Sequence, residues 1–374
     1  MCSAVGATVQ SCARGFSPPA GGLVHVLNLP RTLEWRDGRL AFIDQTKLPE
    51  QLVYIETENW ERVAKAIKSM EIRGAPAIGV AAAYALALFA YHSTADSLEK
   101  FLEGLGKAAE ALKRTRPTAV NLFWAVDRVL AAARNSTSVE DARQRVIEEA
   151  KRIHIEDEQA NRRIGEIGEH LIGDGDTVIT VCNAGSLATS YWGTATAPMY
   201  VARERGKKFR VIALETRPFL QGARLTAWEL SQAGIEVVVA TDNSIGILAE
   251  KERIDLALVG ADRITKLGYV ANKLGTYPLA LVARVHNIPF YVAAPTSTID
   301  MRSAGPEDFE IEKRDPSEVL YVKGYRIAPE GVTAIYYAFD ITPPQLVTGI
   351  ITEKGIIYPP YVKNIPRVLG DSNF

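Results

Sequence analysis

The sequence is poor in the residues that make covalent or metal-held scaffolds. Among 374 residues there are three cysteines, at positions 2, 12 and 182. Three widely spaced thiols make no disulfide framework and show no metal-ligand spacing. The five histidines are scattered, with no HExxH or His-x-His pairing, so a protein-built zinc site is not expected. No excess charge of either sign is present, the formal net charge being −1. A large nucleic-acid footprint needs clustered Lys and Arg, and the local run Lys113-Arg114-Thr115-Arg116 suits a small anion better than a polynucleotide. No long apolar run is present either. The alanine-rich stretch Val80 to Ala90 is too short to cross a bilayer. Residues 1–22 lack the basic and apolar regions of a signal peptide and read as a disordered extension, with the cytoplasm as the default compartment.

What is present is an ordinary globular composition, 47% hydrophobic and 23% charged, long enough for two cored domains. Residues 24–56 alternate in short strand-like segments, with Asp37-Gly38 as a hairpin signal. From 58 to about 170 the period becomes helical, in segments 59–70, 76–92, 96–112, 117–134 and 138–171. Pro117 suits the first turn of the fourth segment. Beyond Gly173-Asp-Gly-Asp176, a simple turn that precedes a strand, apolar runs recur at 177–182, 209–215, 235–241, 256–260 and 288–294. Helical stretches separate them, the pattern of a mostly parallel sheet wrapped by helices. The expected architecture is α/β: a mainly helical N-terminal domain over 23–171, then a Rossmann-like parallel-sheet domain over 172–374.

In such sheets ligands bind beyond the carboxyl ends of the strands. Those ends read Cys182-Asn183-Ala184-Gly185-Ser186, Glu215-Thr216-Arg217-Pro218, Thr241-Asp242-Asn243-Ser244, Gly260-Ala261-Asp262-Arg263 and Ala294-Pro295-Thr296-Ser297. By residue type Cys182 is a small core filler. Its place at a strand end, before the Gly185-Ser186 turn into an apparent helix, makes it a candidate thiolate. Asp262 reads equally as a cap, an ion-pair partner of Arg263, or a general acid that burial would keep protonated. In "EIRGAPAIG", Arg73 before Gly74-Ala75-Pro76 offers a guanidinium and a proline-started helix, an arrangement suited to phosphate or an ordinary loop with a solvated arginine.

Together the blocks "IDQTKLP", "IRGAPAIG", "RPTAVNL", "CNAGSLAT", "ETRPFLQGARLTAWEL", "TDN", "GADRI", "VANKLGTYPLA" and "PFYVAAPTSTID" resemble the methylthioribose-1-phosphate isomerase family. The wider group includes ribose-1,5-bisphosphate isomerase and the regulatory subunits of translation initiation factor 2B. The resemblance implies a catalytic cysteine at Cys182 and a catalytic aspartate at Asp262. It implies substrate contacts at Arg73, Gly74, Ala75, Arg116, Gln221, Asn272 and Lys273. It further implies a sugar 1-phosphate substrate in methionine salvage, no metal or cofactor, no membrane or nucleic-acid partner, and a homodimer. An isomerase acting on ribose 1,5-bisphosphate or a 5-deoxyribose 1-phosphate is the nearest alternative. A non-catalytic subunit is the more distant one, since it would not need the cysteine–aspartate pair.

Overall fold

The computed structural model describes residues 27, 29–117, 119–309 and 311–370. The expected extension over 1–22 lies outside the described residues. Three short antiparallel strands come first: β1 (Leu33–Arg36), β2 (Arg39–Ile43) and β3 (Tyr54–Thr57). Asp37 and Gly38 join β1 to β2 with φ of 41° and 86°, the left-handed pair that a two-residue hairpin requires.

Five helices follow: α1 (Trp60–Lys68), α2 (Ala75–His92), α3 (Leu98–Lys113), α4 (Val120–Arg134) and α5 (Val139–Gly168). Asn59 caps α1 by accepting from the Glu61 and Arg62 amides, and Ser138 caps α5 by accepting from the Asp141 amide. α2 is apolar on every side because it is the central rod of a helical core, packed by α1, α4 and α5. It is also longer than its alanine-rich centre suggests, with 18 residues of membrane-like hydropathy that are mostly buried inside the protein. α4 starts later than its sequence pattern indicates. Pro117 lies in the preceding turn, and Ala119 takes the N-cap position.

After α5 the chain alternates: β4 (Thr177–Thr180), α6 (Ala197–Glu204), β5 (Arg210–Leu214), α7 (Ala227–Gln232), β6 (Glu236–Ala240), α8 (Ile245–Lys251) and β7 (Leu256–Val259). Then come β8 (Arg263–Thr265), β9 (Val270–Lys273), α9 (Thr276–Val285), β10 (Phe290–Ala293) and β11 (Ile299–Asp300). The C-terminal part holds α10 (Ser317–Leu320), β12 (Tyr321–Val322), β13 (Tyr325–Arg326), β14 (Phe339–Thr342), β15 (Gly349–Thr352), β16 (Gly355–Ile357) and α11 (Tyr361–Leu369). The main sheet runs β16-β15-β10-β7-β4-β5-β6, parallel throughout except for β16.

Successive residues of its strands face opposite sides. Val178, Val211 and Leu258 join the core under α6, whereas Ile179, Ile212 and Val259 join the core under α9 and α11. The fold is therefore α/β, with the expected parallel strands in place. A second sheet, β11-β8-β9-β14, stands beside the first. The hydrophobic rhythm did not announce it, because its strands are two to four residues long.

Candidate active site

The chain beyond β4 is held in an unusual conformation. Cys182 has φ of 66°, a left-handed value that costs a non-glycine residue about 1–3 kcal/mol. Hydrogen bonds on both sides fix it there. Its amide donates to Thr216 Oγ1 at 2.8 Å, and its carbonyl accepts from Thr226 Oγ1 at 2.6 Å. Thr216 and Leu220 also take positive φ, so the loop after β5 is strained against the same point. Asp242, beyond β6, holds that loop by accepting from the Thr216 and Arg217 amides at 2.7 and 2.6 Å.

The turn at 184–196 departs from the sequence reading. Gly185-Ser186 does not open an α-helix. Residues Ser186–Ala188 make a single 3-10 turn, and the next helix, α6, starts at Ala197 with a proline in its first turn. The turn is organised instead by the fully buried Glu229 of α7, whose two carboxylate oxygens accept from the Ser186 and Leu187 amides at 3.2 Å. A Cβ on Gly185 would sit 1.3 Å from that carboxylate, so this position requires glycine.

The helix N-terminus near Cys182 belongs to α2. Gly74, its N-cap, has φ of 93° and no side-chain cap among the described residues, so the Ala75 and Ala77 amides at the start of this 18-residue helix have no capping side chain. A Cβ on Gly74 would meet the Ala188 backbone at 2.5 Å, and this close approach locks α2 against the cysteine loop. Gly74, Ala75, Cys182, Asn183, Asp262 and Asn272 line one small cavity. Gly74, Ala75, Asp262 and Arg116 also line its neighbour, walled by Phe309, Ile311 and Phe339. Arg73 and Gln221 line a third, of about 330 Å³, with Met70, Pro218, Phe219, Leu220 and Leu225.

Three predicted residues are therefore engaged differently from the simplest expectation. Arg73 is buried, and both its terminal nitrogens bond Asn183, one to the side-chain oxygen and one to the backbone carbonyl at 2.6 Å. Arg116 contacts Glu312 at 3.4 Å and the Met70 sulfur at 3.1 Å. Lys273 is buried with its ammonium 4.5 Å from the Phe339 ring centre. Asn272 donates to Thr276 Oγ1 at 2.9 Å, and the buried Gln221 Oε1 has no hydrogen-bond partner.

Burial dominates the electrostatics. It pushes the Cys182 thiol up, against the pull of Arg73 and Lys273. It pushes the Asp262 carboxyl up as well, against Lys273, Arg116 and Arg73, with Glu312 adding to the rise. The same burial lowers Lys273 and Arg73. The arrangement sets two acids whose protonated forms burial favours beside cations and the start of α2, which suits receipt of an anion and then delivery of a proton. Among the described residues no group of three or more His, Cys, Asp or Glu side chains is placed to hold a metal ion.

Glu229, Thr216, Thr226 and Asp242 were not singled out by the sequence. Asp242 and Thr216 carried the strand-end signal. Glu229 carried none, because a glutamate on a short helix reads as solvated.

The chain belongs to the initiation factor 2 subunit family, whose model matches residues 71–359. Within that family it is 49% identical over 342 residues to methylthioribose-1-phosphate isomerase of Geobacillus thermodenitrificans, covering 91% of this chain and 96% of the relative. The crystal structure of 5-methylthioribose 1-phosphate isomerase from Pyrococcus horikoshii is 43% identical with a TM-score of 0.87, covering 92% of this chain and 97% of that one. A structure named translation initiation factor eIF-2B, subunit delta, from A. fulgidus is 48% identical with a TM-score of 0.82, covering 91% and 99%.

The thiol makes a direct test. The rate of Cys182 alkylation by iodoacetamide, followed by mass spectrometry across pH, should rise with a midpoint above the ordinary value of 9.0. Asp262→Asn should move that midpoint down, because Asp262 opposes the thiolate. A wild-type midpoint below the ordinary value would contradict the burial argument.

Proposed function

We propose that this protein is an aldose–ketose isomerase that converts methylthioribose 1-phosphate to methylthioribulose 1-phosphate in methionine salvage. The observation that carries the proposal is the single cavity shared by Cys182, Asp262 and the uncapped N-terminus of α2. The names of relatives at nearly half identity support the same substrate.

The chemistry required is particular. The phosphate blocks the anomeric oxygen, so the ring cannot open spontaneously to an aldehyde. The phosphate is assigned to the α2 N-terminus, with Gly74 and Ala75 amides and the Arg116 and Lys273 cations around it. Asn272 and Gln221 are assigned to sugar hydroxyls. Asp262 gives its proton to the ring oxygen as the bond from that oxygen to C1 breaks. The cation left at C1 takes the hydrogen on C2 with its electron pair, and the O2 proton returns to the Asp262 carboxylate. C2 becomes the ketone carbon and Asp262 ends as it began.

A direct hydride shift suits a thiol held protonated. Burial pushes the Cys182 thiol up and so disfavours the thiolate that an enol route would need as the base at C2. Cys182 then lines the C1–C2 edge and excludes water. The reading invokes no metal and no cofactor.

The third cavity is assigned to the substituent on C5. Its wall is largely apolar, and its cations are already engaged. Arg224 donates to the carbonyls of Gln45, Leu48 and Phe219 at 2.8, 3.0 and 3.1 Å, Lys323 pairs with Glu50, and Arg73 holds Asn183. That favours a methylthio or methyl group over a second phosphate.

The same proposal takes 23–171 and 172–374 as the two domains, the cytoplasm as the compartment, and a homodimer as the assembly. The exposed Val238 on edge strand β6, and the exposed Ile247, Leu281 and Val285 on the contacting helices α8 and α9, support self-association.

Purified protein should convert methylthioribose 1-phosphate to the ketose phosphate and should turn over ribose 1,5-bisphosphate far more slowly. Asp262→Asn should lose on the order of 10²-fold or more in kcat while still binding substrate, and Cys182→Ser should lose activity while still binding substrate. Preference for ribose 1,5-bisphosphate would assign the alternative sugar, and inactivity on every sugar 1-phosphate would favour a non-catalytic subunit. Deuterium placed on C2 should be retained at C1 in ordinary water. Its loss to solvent would replace the hydride route with an enol route in which Cys182 takes the proton.

A further inference from the structure

A fourth cavity, of about 170 Å³, lies behind the first turns of α2, where the helical core meets the loops after β10 and β15. Asn121, Trp124, Glu156, Asp157 and Glu353 contribute its polar and aromatic lining. The volume is well beyond the roughly 10–15 Å³ needed for one water.

Its charges do not cancel. Glu156 is neutralised by Arg128, which donates to it at 2.8 Å from one of its two contacting nitrogens. Asp157 and Glu353 have only neutral donors among the described residues. Asp157 accepts from the Ser190 amide at 2.7 Å and from Asn161 Nδ2 at 3.0 Å. Glu353 accepts from the Thr296 amide at 2.9 Å and from the Thr296 hydroxyl. Burial pushes Asp157 up to about 6, with no cation opposing the rise.

The independent sign of a ligand is Asn121. It is 3% exposed, it lines the cavity, and its Oδ1 has no hydrogen-bond partner among the described residues although its Nδ2 reaches Ser297 Oγ at 3.4 Å. A buried carbonyl oxygen without a donor is costly and is ordinarily satisfied. Trp124, 39% exposed, completes the wall, with the Arg128 guanidinium 5.2 Å from its ring centre on one face and the other face left for a ligand. Two carboxylates without cationic partners, an unsatisfied amide oxygen and an indole present acceptors and a π surface, with no cation free to receive an anion.

We propose that this cavity is a binding site for a small organic ammonium ion, whose N–H groups bond Asn121 Oδ1 and the Asp157 and Glu353 carboxylates while its alkyl part rests on Trp124. The site is separate from the catalytic cavity but adjoins it, since Pro76 and Pro295 line both.

The test is calorimetric titration of the full chain with n-butylammonium chloride, against sodium chloride and 1-butanol as controls. Saturable binding of the ammonium alone is expected, weakened at least roughly tenfold in Glu353→Gln and in Asp157→Asn, each of which keeps a side-chain acceptor. As a second readout, the ammonium should change tryptophan emission in wild type and much less in Trp124→Phe, a substitution at a partly exposed position. Absence of saturable heat up to about 10 mM, unchanged affinity in both carboxamide variants, or an emission change that survives Trp124→Phe would overturn the proposal. The cavity would then hold solvent only.

Discussion

The site depends on one buried charge. Arg73 leaves the loop before α2 and spends both terminal nitrogens on Asn183, the residue after the cysteine. Among the described residues no carboxylate touches this guanidinium, so two hydrogen bonds to neutral oxygens carry it, each worth about 1.5–3 kcal/mol to a charged group. The bond ties the helical core to the carboxyl end of β4. It also brings α2's first amides, and the Gly74 backbone against Ala188, to the place where Cys182 sits. The arginine expected at the phosphate is here bonded to Asn183 and so also helps to build the frame around that cavity.

Around that clamp the protein uses polar side chains to hold backbone. Glu229 braces the 186–187 amides, Asp242 braces 216–217, and Thr216 and Thr226 grip Cys182 from both sides. Every one of these contacts restrains a turn beyond a parallel strand. The result is a rigid thiol in a left-handed backbone, beside a carboxyl that burial holds toward its protonated form. Such an environment is costly to fold and useful to acid chemistry, because a neutral carboxyl in a dry cavity is ready to give a proton.

The sequence made the large elements legible. The helical period located α1 to α5, and the apolar runs located β4, β5, β6, β7 and β10. The Asp37-Gly38 hairpin could be read because its turn chemistry is local. Strand-end logic and family blocks together picked out Cys182 and Asp262, which share a cavity in the structure. Three things were not legible. The small sheet containing β8, β9, β11 and β14 is too short for periodicity to register. The apparent helix after Gly185 is a 3-10 turn, since the amides of this largely buried segment bond Glu229, Asp157 and Thr189 side chains instead of a helical ladder. Glu229 itself is a charged residue at zero exposure, and only tertiary packing distinguishes it from a solvated glutamate.

The central claim is that burial outweighs the neighbouring cations and keeps Asp262 available as an acid. Infrared difference spectroscopy of wild type against Asp262→Asn, recorded across pH, reads that carboxyl directly. The account predicts a protonated carboxyl band that belongs to Asp262 and disappears with a midpoint above the ordinary value of 3.8. A midpoint at or below that value would mean that Lys273, Arg116 and Arg73 have won, and that the proton for the ring oxygen comes from another group.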